Sequence, residues 1–271
     1  MKDKVKVVEV GPRDGFQNIA DYIPMQAKLE VIRGLVEAGI SSMQITSFVS
    51  PKAIPQMQDA RDLAQQCLKE FPGLDLFALV PNVRGAQTAM EIGMKKVSNV
   101  ISLSESHNLA NIKSTHEKSL AGLSEIKQQF PQLKVEVDIA TAFGCPFEGK
   151  PKLKTLVQFV ERIYAMGFDT FNICDTIGVA NPKQVRQTMQ TLLAVFPDCE
   201  FEVHIHDTRN MGMVNTLAAI ETGVRAVQTT LGGLGGCPFA PGASGNTATE
   251  DLVYMLEAMG YDTGVDFDKL M

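Results

Sequence analysis

Short apolar runs alternate with longer segments of helical period along the whole chain. The short runs are rich in β-branched residues, which favours strands. We predict eight strands, at Val5–Val10, Ser42–Thr46, Leu76–Val80, Ser98–Leu103, Val135–Ala140, Thr170–Cys174, Glu202–His206 and Ala226–Thr230. We predict eight helices after them, at Met25–Ala38, Pro55–Glu70, Val83–Ile92, Thr115–Gln129, Pro151–Met166, Pro182–Phe196, Met211–Thr222 and Thr247–Met259. This alternation indicates parallel strands joined by crossover helices.

A short repeat marks the ends of five predicted helices. Each copy places a glycine just past the helix and an apolar residue after it, at Glu37–Ile40, Glu91–Met94, Ala165–Phe168, Glu221–Val224 and Ala258–Tyr261. Glycine takes the left-handed conformation that ends a helix. Eight such units in about 260 residues fit an α/β fold of the TIM (β/α)8 barrel type. The first strand is followed by Gly-Pro-Arg-Asp and not by the glycine fingerprint of a doubly wound sheet. We therefore predict one TIM-barrel domain over residues 1–271.

Composition and charge exclude several classes of protein. The net charge of −6 argues against binding to nucleic acid, which needs basic patches. No apolar run reaches the roughly 18–20 residues that span a bilayer, so we expect no membrane partner. The chain begins Met-Lys-Asp-Lys-Val and runs straight into a strand, which predicts no signal peptide. The five cysteines are an odd number in a chain of this size, and we interpret them as reduced thiols of a cytoplasmic protein.

Two of the four histidines, His204 and His206, lie two residues apart in the seventh predicted strand. Residues at this spacing point to the same face of a strand, with side chains about 7 Å apart. The two imidazoles can therefore reach one cation together. The alternative is a pair of core histidines with satisfied hydrogen bonds.

Polar residues at other strand ends are candidates for the same site, because TIM-barrel enzymes place their catalytic groups there. Arg13 and Asp14 follow the first strand; the carboxylate suits a hard cation and the guanidinium suits a developing enolate. A salt bridge within the loop is the alternative. Asp175 follows the sixth strand, with a turn or N-cap role as its alternative. For Asp207, which follows His206, we favour a helix-capping turn.

A glycine-rich loop, residues 231–246, follows the eighth strand and contains six glycines. Such a run is free to move as a lid does, and its thiol, Cys237, is a candidate for chemistry. Asn246 closes the loop, either as a neutral oxygen ligand or as a helix N-cap. The mixed oxygen and nitrogen donors favour Mg²⁺ or Mn²⁺ over structural zinc. The candidate ligands are Asp14, His204, His206 and Asn246.

Six motifs of the chain resemble those of the 3-hydroxy-3-methylglutaryl-CoA lyase family. They begin at Glu9 (EVGPRDGFQ), Thr46 (TSFVSPK), Gly144 (GCPFEGK), Asp175 (DTIGV), His204 (HIHDT) and Gly232 (GGLGGCPFAPGASGN). The match covers nearly the whole chain in the right order, and the glycine-rich cysteine loop is highly specific to this lyase group.

The resemblance implies a carbon–carbon lyase that cleaves 3-hydroxy-3-methylglutaryl-CoA to acetyl-CoA and acetoacetate by retro-Claisen chemistry. It implies that the four candidate ligands bind a divalent cation and that Arg13 stabilises the enolate. It places Asp175 beside the metal site and gives Cys237 a part in proton transfer, and we choose His204 as the base. It further implies an acyl-CoA substrate, a homodimer, and a place in leucine degradation and ketone-body formation.

The chain departs from the family pattern at positions near the substrate. Gln44 stands where the second strand of the family ends in a glutamate, and Gln cannot take a proton from a substrate hydroxyl. Ile19-Ala20 replaces an acidic–basic pair whose lysine helps to hold CoA. We predict substrate contacts at Gln17, Gln44 and Ser47. Two alternatives stay open: a Claisen-type synthase that joins acetyl-CoA to a ketoacid, and a catalytically weak homologue that binds metal and an acyl ligand.

Overall fold

Eight parallel strands form a closed barrel in chain order, each pairing with its neighbours and the last with the first. The structure is a computed structural model and describes residues 3–236 and 245–271. The strands are β1 (Lys6–Glu9), β2 (Ser42–Ser47), β3 (Asp75–Leu79), β4 (Lys96–Ser102), β5 (Lys134–Ala140), β6 (Thr170–Asp175), β7 (Glu200–Ile205) and β8 (Ala226–Thr229). The predicted TIM barrel is confirmed.

Helices cover the outside of the barrel. They are α1 (Met25–Glu37), α2 (Ala60–Glu70), α3 (Val83–Glu91), α4 (Glu105–Ile112), α5 (His116–Gln129), α6 (Leu153–Tyr164), α7 (Pro182–Val195), α8 (Gly212–Ile220), α9 (Thr249–Ala258) and α10 (Phe267–Leu270). None of these helices is long and apolar enough to cross a membrane, as far as the described residues go.

Helices α4 and α10 were not predicted, and one predicted helix began too early. The hydroxyl of Ser104 caps the start of α4, and Lys113 ends this helix in the left-handed conformation. The helix predicted from Pro55 begins only at Ala60, because Pro55–Met57 forms a separate 3₁₀ turn. Short polar helices and single turns leave little periodic signal in a sequence.

The two faces of the strands differ in polarity, and this positions the site. Outward residues such as Val137 and Ile139 of β5 pack against the helices in the main hydrophobic core. Inward residues include buried charges, and Lys96 Nζ lies 2.7 Å from Glu136 Oε2. Buried charges must be paired to be tolerated. The barrel interior is therefore a connected polar network that reaches up to the carboxyl ends of the strands.

Candidate active site

A cavity of about 260 Å³ opens at the carboxyl ends of the strands. Six residues that the sequence proposed for the site line it: Arg13, Asp14, Gln17, Ser47, His204 and His206. These residues come from the loop after β1, the end of β2 and the end of β7. The closed barrel thus brings together groups that are up to 193 positions apart, from Arg13 to His206.

A single π-helical turn, Gly11–Gly15, carries the first pair of site residues out of β1. Glu9 holds this turn from below. Its carboxylate accepts hydrogen bonds from the backbone N–H of Gly11 (2.7 Å), the backbone N–H of Leu231 (3.0 Å) and the hydroxyl of Thr249 (2.6 Å). A Cβ at position 11 would lie 2.5 Å from Oε1 of Glu9, so the close approach requires glycine. Burial raises the pKa of Glu9 to about 7, although these hydrogen bonds act to lower it.

Asp14 is held by three side chains. Arg13 Nη1 lies 2.5 Å from its Oδ1, Gln17 Nε2 donates to the same oxygen at 2.9 Å, and Asn246 Nδ2 donates to Oδ2 at 2.8 Å. Burial alone would raise the pKa of Asp14, but the guanidinium of Arg13, the two nearby histidines and the amide of Asn246 lower it to about 2. The Arg13–Asp14 ion pair of the alternative interpretation therefore exists, and it lies inside the cavity.

His204 near the end of β7 and His206 just after this strand lie next to each other in the cavity. Their Nε2 atoms are 3.1 Å apart, and Nε2 of His204 lies 4.0 Å from Oδ2 of Asp14. Nδ1 of His204 lies 3.3 Å from Oε1 of Gln228, an atom that can only accept, so this nitrogen carries the proton. Burial, followed by the neighbouring His204, lowers the pKa of His206 to about 4. Both rings are therefore suited to offer a lone pair.

The residues present fit a divalent cation. Ligand atoms of Asp14, His204 and His206 all lie within 4.8 Å of one another. Oδ1 of Asn246 is buried and has no hydrogen-bond partner, and the backbone of this residue bridges to that of His206. Asn246 is not a helix N-cap, because α9 begins after Ala248. A buried amide oxygen without a donor, beside a carboxylate and two imidazoles, is a donor set that suits Mg²⁺ or Mn²⁺.

Two aspartates beside the site organise turns. Both carboxylate oxygens of Asp175 accept backbone N–H groups, from Val179 (3.0 Å) and Ala180 (2.9 Å), and the residue does not line the cavity. These are the contacts of the turn alternative; burial raises the pKa of this carboxyl. Asp207 accepts the backbone N–H of Gly212, the first residue of α8, although the N-cap position of this helix is Met211.

The predicted substrate residues occupy different places. Gln17 and Ser47 line the cavity, and the hydroxyl of Ser47 is buried without a partner. Gln44 lies behind Arg13 instead: its Oε1 accepts from Nε of Arg13, and its Nε2 donates to Oγ of Ser98 at 2.7 Å. Gln44 is fully buried and does not line the cavity. Cys237 lies outside the described residues.

Sequence reasoning missed several polar residues that line the cavity, among them His107, Asp138, Asn172 and Gln228. His107 lies on α4, a helix that was not predicted. The other three are inward-facing polar residues within strands β5, β6 and β8. The signal was present in Val135-Glu-Val-Asp138, where polar residues alternate with apolar ones in a strand that a helix-covered barrel buries on both faces.

Comparisons with known proteins agree with this geometry. The family model described as HMGL-like matches residues 4–271. The chain is 41% identical over 270 residues to hydroxymethylglutaryl-CoA lyase YngG of Bacillus subtilis, covering 99% of this chain and 90% of that protein. It is 40% identical to the mitochondrial hydroxymethylglutaryl-CoA lyase of Rattus norvegicus, covering 99% and 83%.

A solved structure gives the same assignment. The HMG-CoA lyase of Acinetobacter baumannii, in complex with coenzyme A and 3-methylmalate, superimposes with a TM-score of 0.93 at 40% identity and covers 99% of this chain and 88% of that one. The chain belongs to the HMGL-like family.

Proposed function

We propose that this protein cleaves 3-hydroxy-3-methylglutaryl-CoA to acetyl-CoA and acetoacetate. The observation that carries this proposal is the cluster of Asp14, His204 and His206 beside Arg13, in a chain about 40% identical over its length to lyases named for that substrate. In the reaction, the C3 hydroxyl loses its proton, a C3 carbonyl forms, and the C2–C3 bond breaks. The electron pair passes to the acetyl-CoA enolate, which is then protonated at C2.

We infer that Asp14, His204, His206 and Asn246 hold a divalent cation, Mg²⁺ or Mn²⁺. When bound, such a cation supplies Lewis-acid polarisation of the substrate oxygens and lowers the barrier to hydroxyl deprotonation. The chain prepares the site by keeping Asp14 ionised and the imidazole of His206 neutral. Metal analysis of purified protein should find about one divalent cation per chain. Stoichiometric metal in the H204A/H206A double variant would refute the assigned site.

Arg13 is placed to stabilise the enolate. Its side chain lines the cavity and is fixed between Asp14 and Gln44, so the guanidinium is oriented before the substrate arrives. The assignment of His204 as the base stays a prediction, and the geometry does not favour it. Nδ1 of His204 donates to Gln228 and its Nε2 belongs to the ligand cluster, so neither ring nitrogen is left to accept a proton.

The remaining assignments rest on the sequence. We propose that Cys237 takes part in protonation, that the active form is a homodimer, and that the protein acts in the cytoplasm in leucine degradation and ketone-body formation. Alkylation of Cys237 should inactivate the enzyme, and bound acyl-CoA should slow the alkylation. Light scattering in solution tests the dimer directly, because a monomer has the mass of 29.5 kDa.

The function is tested by following acetoacetate release from 3-hydroxy-3-methylglutaryl-CoA with saturating Mn²⁺. We expect turnover that EDTA abolishes, and Arg13→Met should lower kcat about 100-fold while leaving Mn²⁺ affinity within threefold. The same preparation is tested for the reverse-type condensation of acetyl-CoA with ketoacids. Condensation without cleavage would favour the synthase alternative. Ligand binding without either reaction would favour the weak homologue.

A further inference from the structure

The cavity contains a carboxylate that the site described so far does not use. Among the described residues, the carboxylates that line the cavity are Asp14 and Asp138. Asp14 is held by Arg13, Gln17 and Asn246 and belongs to the ligand cluster. Asp138 lies near the carboxyl end of β5 and is only 5% exposed. It therefore faces the space that the substrate must enter.

Neutral hydrogen-bond donors hold the Asp138 carboxylate, which can still accept further hydrogen bonds. Nδ2 of Asn172 donates to its Oδ1 at 2.9 Å, and the hydroxyl of Ser98 donates to the carboxylate as well. The positive charge of Arg13 acts on it from the turn after β1. A carboxylate offers about four acceptor positions, and two donors leave room for a substrate hydroxyl.

Ser98 connects Asp138 to the position where the family pattern has a glutamate. The serine oxygen accepts from Nε2 of Gln44 at 2.7 Å, so its single proton is available to Asp138. Gln44 in turn accepts from Arg13 with its other side-chain atom. Gln44 on β2 is thus neutral and turned towards Arg13. The negative charge in this chain of hydrogen bonds lies instead on Asp138 of β5.

Other titratable groups in the cavity are less suited to accept a proton. Both ring nitrogens of His204 are engaged, as described above. Burial lowers the pKa of His107, and its Nδ1 lies 2.8 Å from Oγ of Ser102. Burial raises the pKa of the Cys174 thiol well above its usual value and keeps it protonated. Burial also raises the pKa of Asp138, which makes it a stronger base than an exposed aspartate.

We propose that Asp138 is the catalytic base, a step that rests on the proposed lyase function. The C3 hydroxyl proton passes to the Asp138 carboxylate, and the O–H electron pair forms the C3 carbonyl. The C2–C3 pair passes to the enolate facing Arg13. One proton then returns to C2, so the net change moves the hydroxyl proton to the new methyl group and needs no other reactant.

The first experiment measures kinetics. Asp138→Asn keeps the shape of the side chain but removes the base, so kcat should fall 100-fold or more while KM and Mn²⁺ affinity stay within threefold. Asp138→Glu should recover at least tenfold of this loss. The matched control is Asp169→Asn, the same change at an exposed residue that precedes β6 and does not line the cavity. Wild-type turnover in Asp138→Asn, or an equal loss in the control, would overturn the proposal.

The pH profile gives a readout that a purely structural role would not move. The acidic limb of kcat should disappear in Asp138→Asn and persist in Asp169→Asn. Among residues 3–236 and 245–271, the other titratable or charged groups that act on Asp138 are Arg13 on the turn after β1, Glu136 on its own strand, Cys174 on β6 and His204 on β7. A limb that is unchanged in Asp138→Asn would belong to one of these groups and would overturn the assignment.

A binding experiment separates this inference from the lyase proposal. Wild-type protein loaded with Mn²⁺ should bind 3-hydroxyglutaryl-CoA more tightly than glutaryl-CoA, and Asp138→Ala should reduce the ratio of the two Kd values at least tenfold. This readout needs no cleavage. If wild type fails to cleave its proposed substrate but the ratio depends on Asp138, the lyase proposal fails and the recognition of the hydroxyl by Asp138 stands. An unchanged ratio would overturn the role of Asp138.

Discussion

Gln228 lies directly opposite His204 in the pairing of β8 with β7, and its Oε1 is 3.3 Å from Nδ1 of the imidazole. The orientation of this amide is not free, because its Nε2 donates to Oε1 of Glu136 at 2.7 Å across the barrel. Glu136 is in turn paired with Lys96. The buried Lys96–Glu136 pair therefore fixes the orientation of the Gln228 amide. The amide oxygen in turn fixes the proton of His204 on Nδ1, so the lone pair of Nε2 faces the ligand cluster.

Gln228→Leu should weaken Mn²⁺ binding 10- to 100-fold, because the hydrogen bonds that orient metal-binding histidines typically contribute this much. The Kd for Mn²⁺ is measured by titration calorimetry at neutral pH. The exposed Gln132 provides a matched control, and Gln132→Leu should leave the Kd unchanged. Equal affinities of wild type and Gln228→Leu would show that packing alone orients His204.

Gln44→Glu should lower the rate of cleavage about tenfold. The new carboxylate would lie against Nε of Arg13, neutralising the charge that faces the enolate, and it would no longer donate to Ser98. Gln44→Met separates the loss of these hydrogen bonds from the added charge. A strong increase of turnover in Gln44→Glu would instead show that the natural chain is a poor lyase for this substrate.

Glu9 makes the stability of the barrel depend on pH. Burial raises its pKa from 4.5 to about 7 in the folded protein, so the folded state binds a proton that the unfolded state has lost. The contribution is complete below about pH 4.5 and is lost as the pH rises to 7. The pKa difference of about 2.5, at about 1.4 kcal/mol for each unit, amounts to about 3 kcal/mol.

Glu9→Gln should remove this dependence, since an amide can accept from Gly11 and Leu231 and donate to Thr249 without titrating. The free energy of unfolding is measured in urea with EDTA at pH 5 and pH 8.5. Wild type should lose about 3 kcal/mol more than the variant over this interval. The exposed Glu30→Gln serves as control and should follow wild type. A parallel decline of wild type and Glu9→Gln would contradict the assignment.

The sequence predicted the architecture well because eight units repeat the same signals. Every observed strand overlaps a predicted one, and glycines such as Gly39 and Gly167 take the positive φ that the helix ends require. The candidate ligands were found because they follow strand ends, where a barrel gathers its functional groups. Asp14 and His206 are far apart in the chain, yet the closed topology alone indicates that they meet.

The interior of the barrel was harder to predict. Asp138 and Gln228 belong to no loop motif. The role of each depends on which residue faces it from another strand of the barrel. Asp175 was predicted as a site residue because it lies at a strand end. Its carboxylate oxygens instead accept hydrogen bonds from backbone N–H groups of its own loop. Hydrogen-bond partners of this kind depend on register and loop conformation, which the sequence pattern does not specify.

The backbone of Gly235 lies close to the ligand cluster. A Cβ at this position would lie 2.6 Å from Nδ2 of Asn246 and 3.3 Å from Oδ2 of Asp14, and the residue has a φ of +113°. A side chain is therefore excluded both by space and by backbone conformation. Gly236, the next residue, also lines the cavity, but a Cβ there would meet nothing within 4 Å.

This difference makes the two glycines a matched pair. Gly235→Ala should push the amide of Asn246 away from Asp14 and weaken Mn²⁺ binding at least tenfold. The substitution displaces the candidate ligand Asn246 and removes a hydrogen bond that holds the candidate ligand Asp14. Gly236→Ala should keep the Kd within threefold of wild type. Thermal melts in EDTA check the fold, and we expect both variants to melt within a few degrees of wild type because the change lies in a surface loop. Equal Mn²⁺ affinities of the two variants would show that the contact between Asn246 and Asp14 does not organise the metal site.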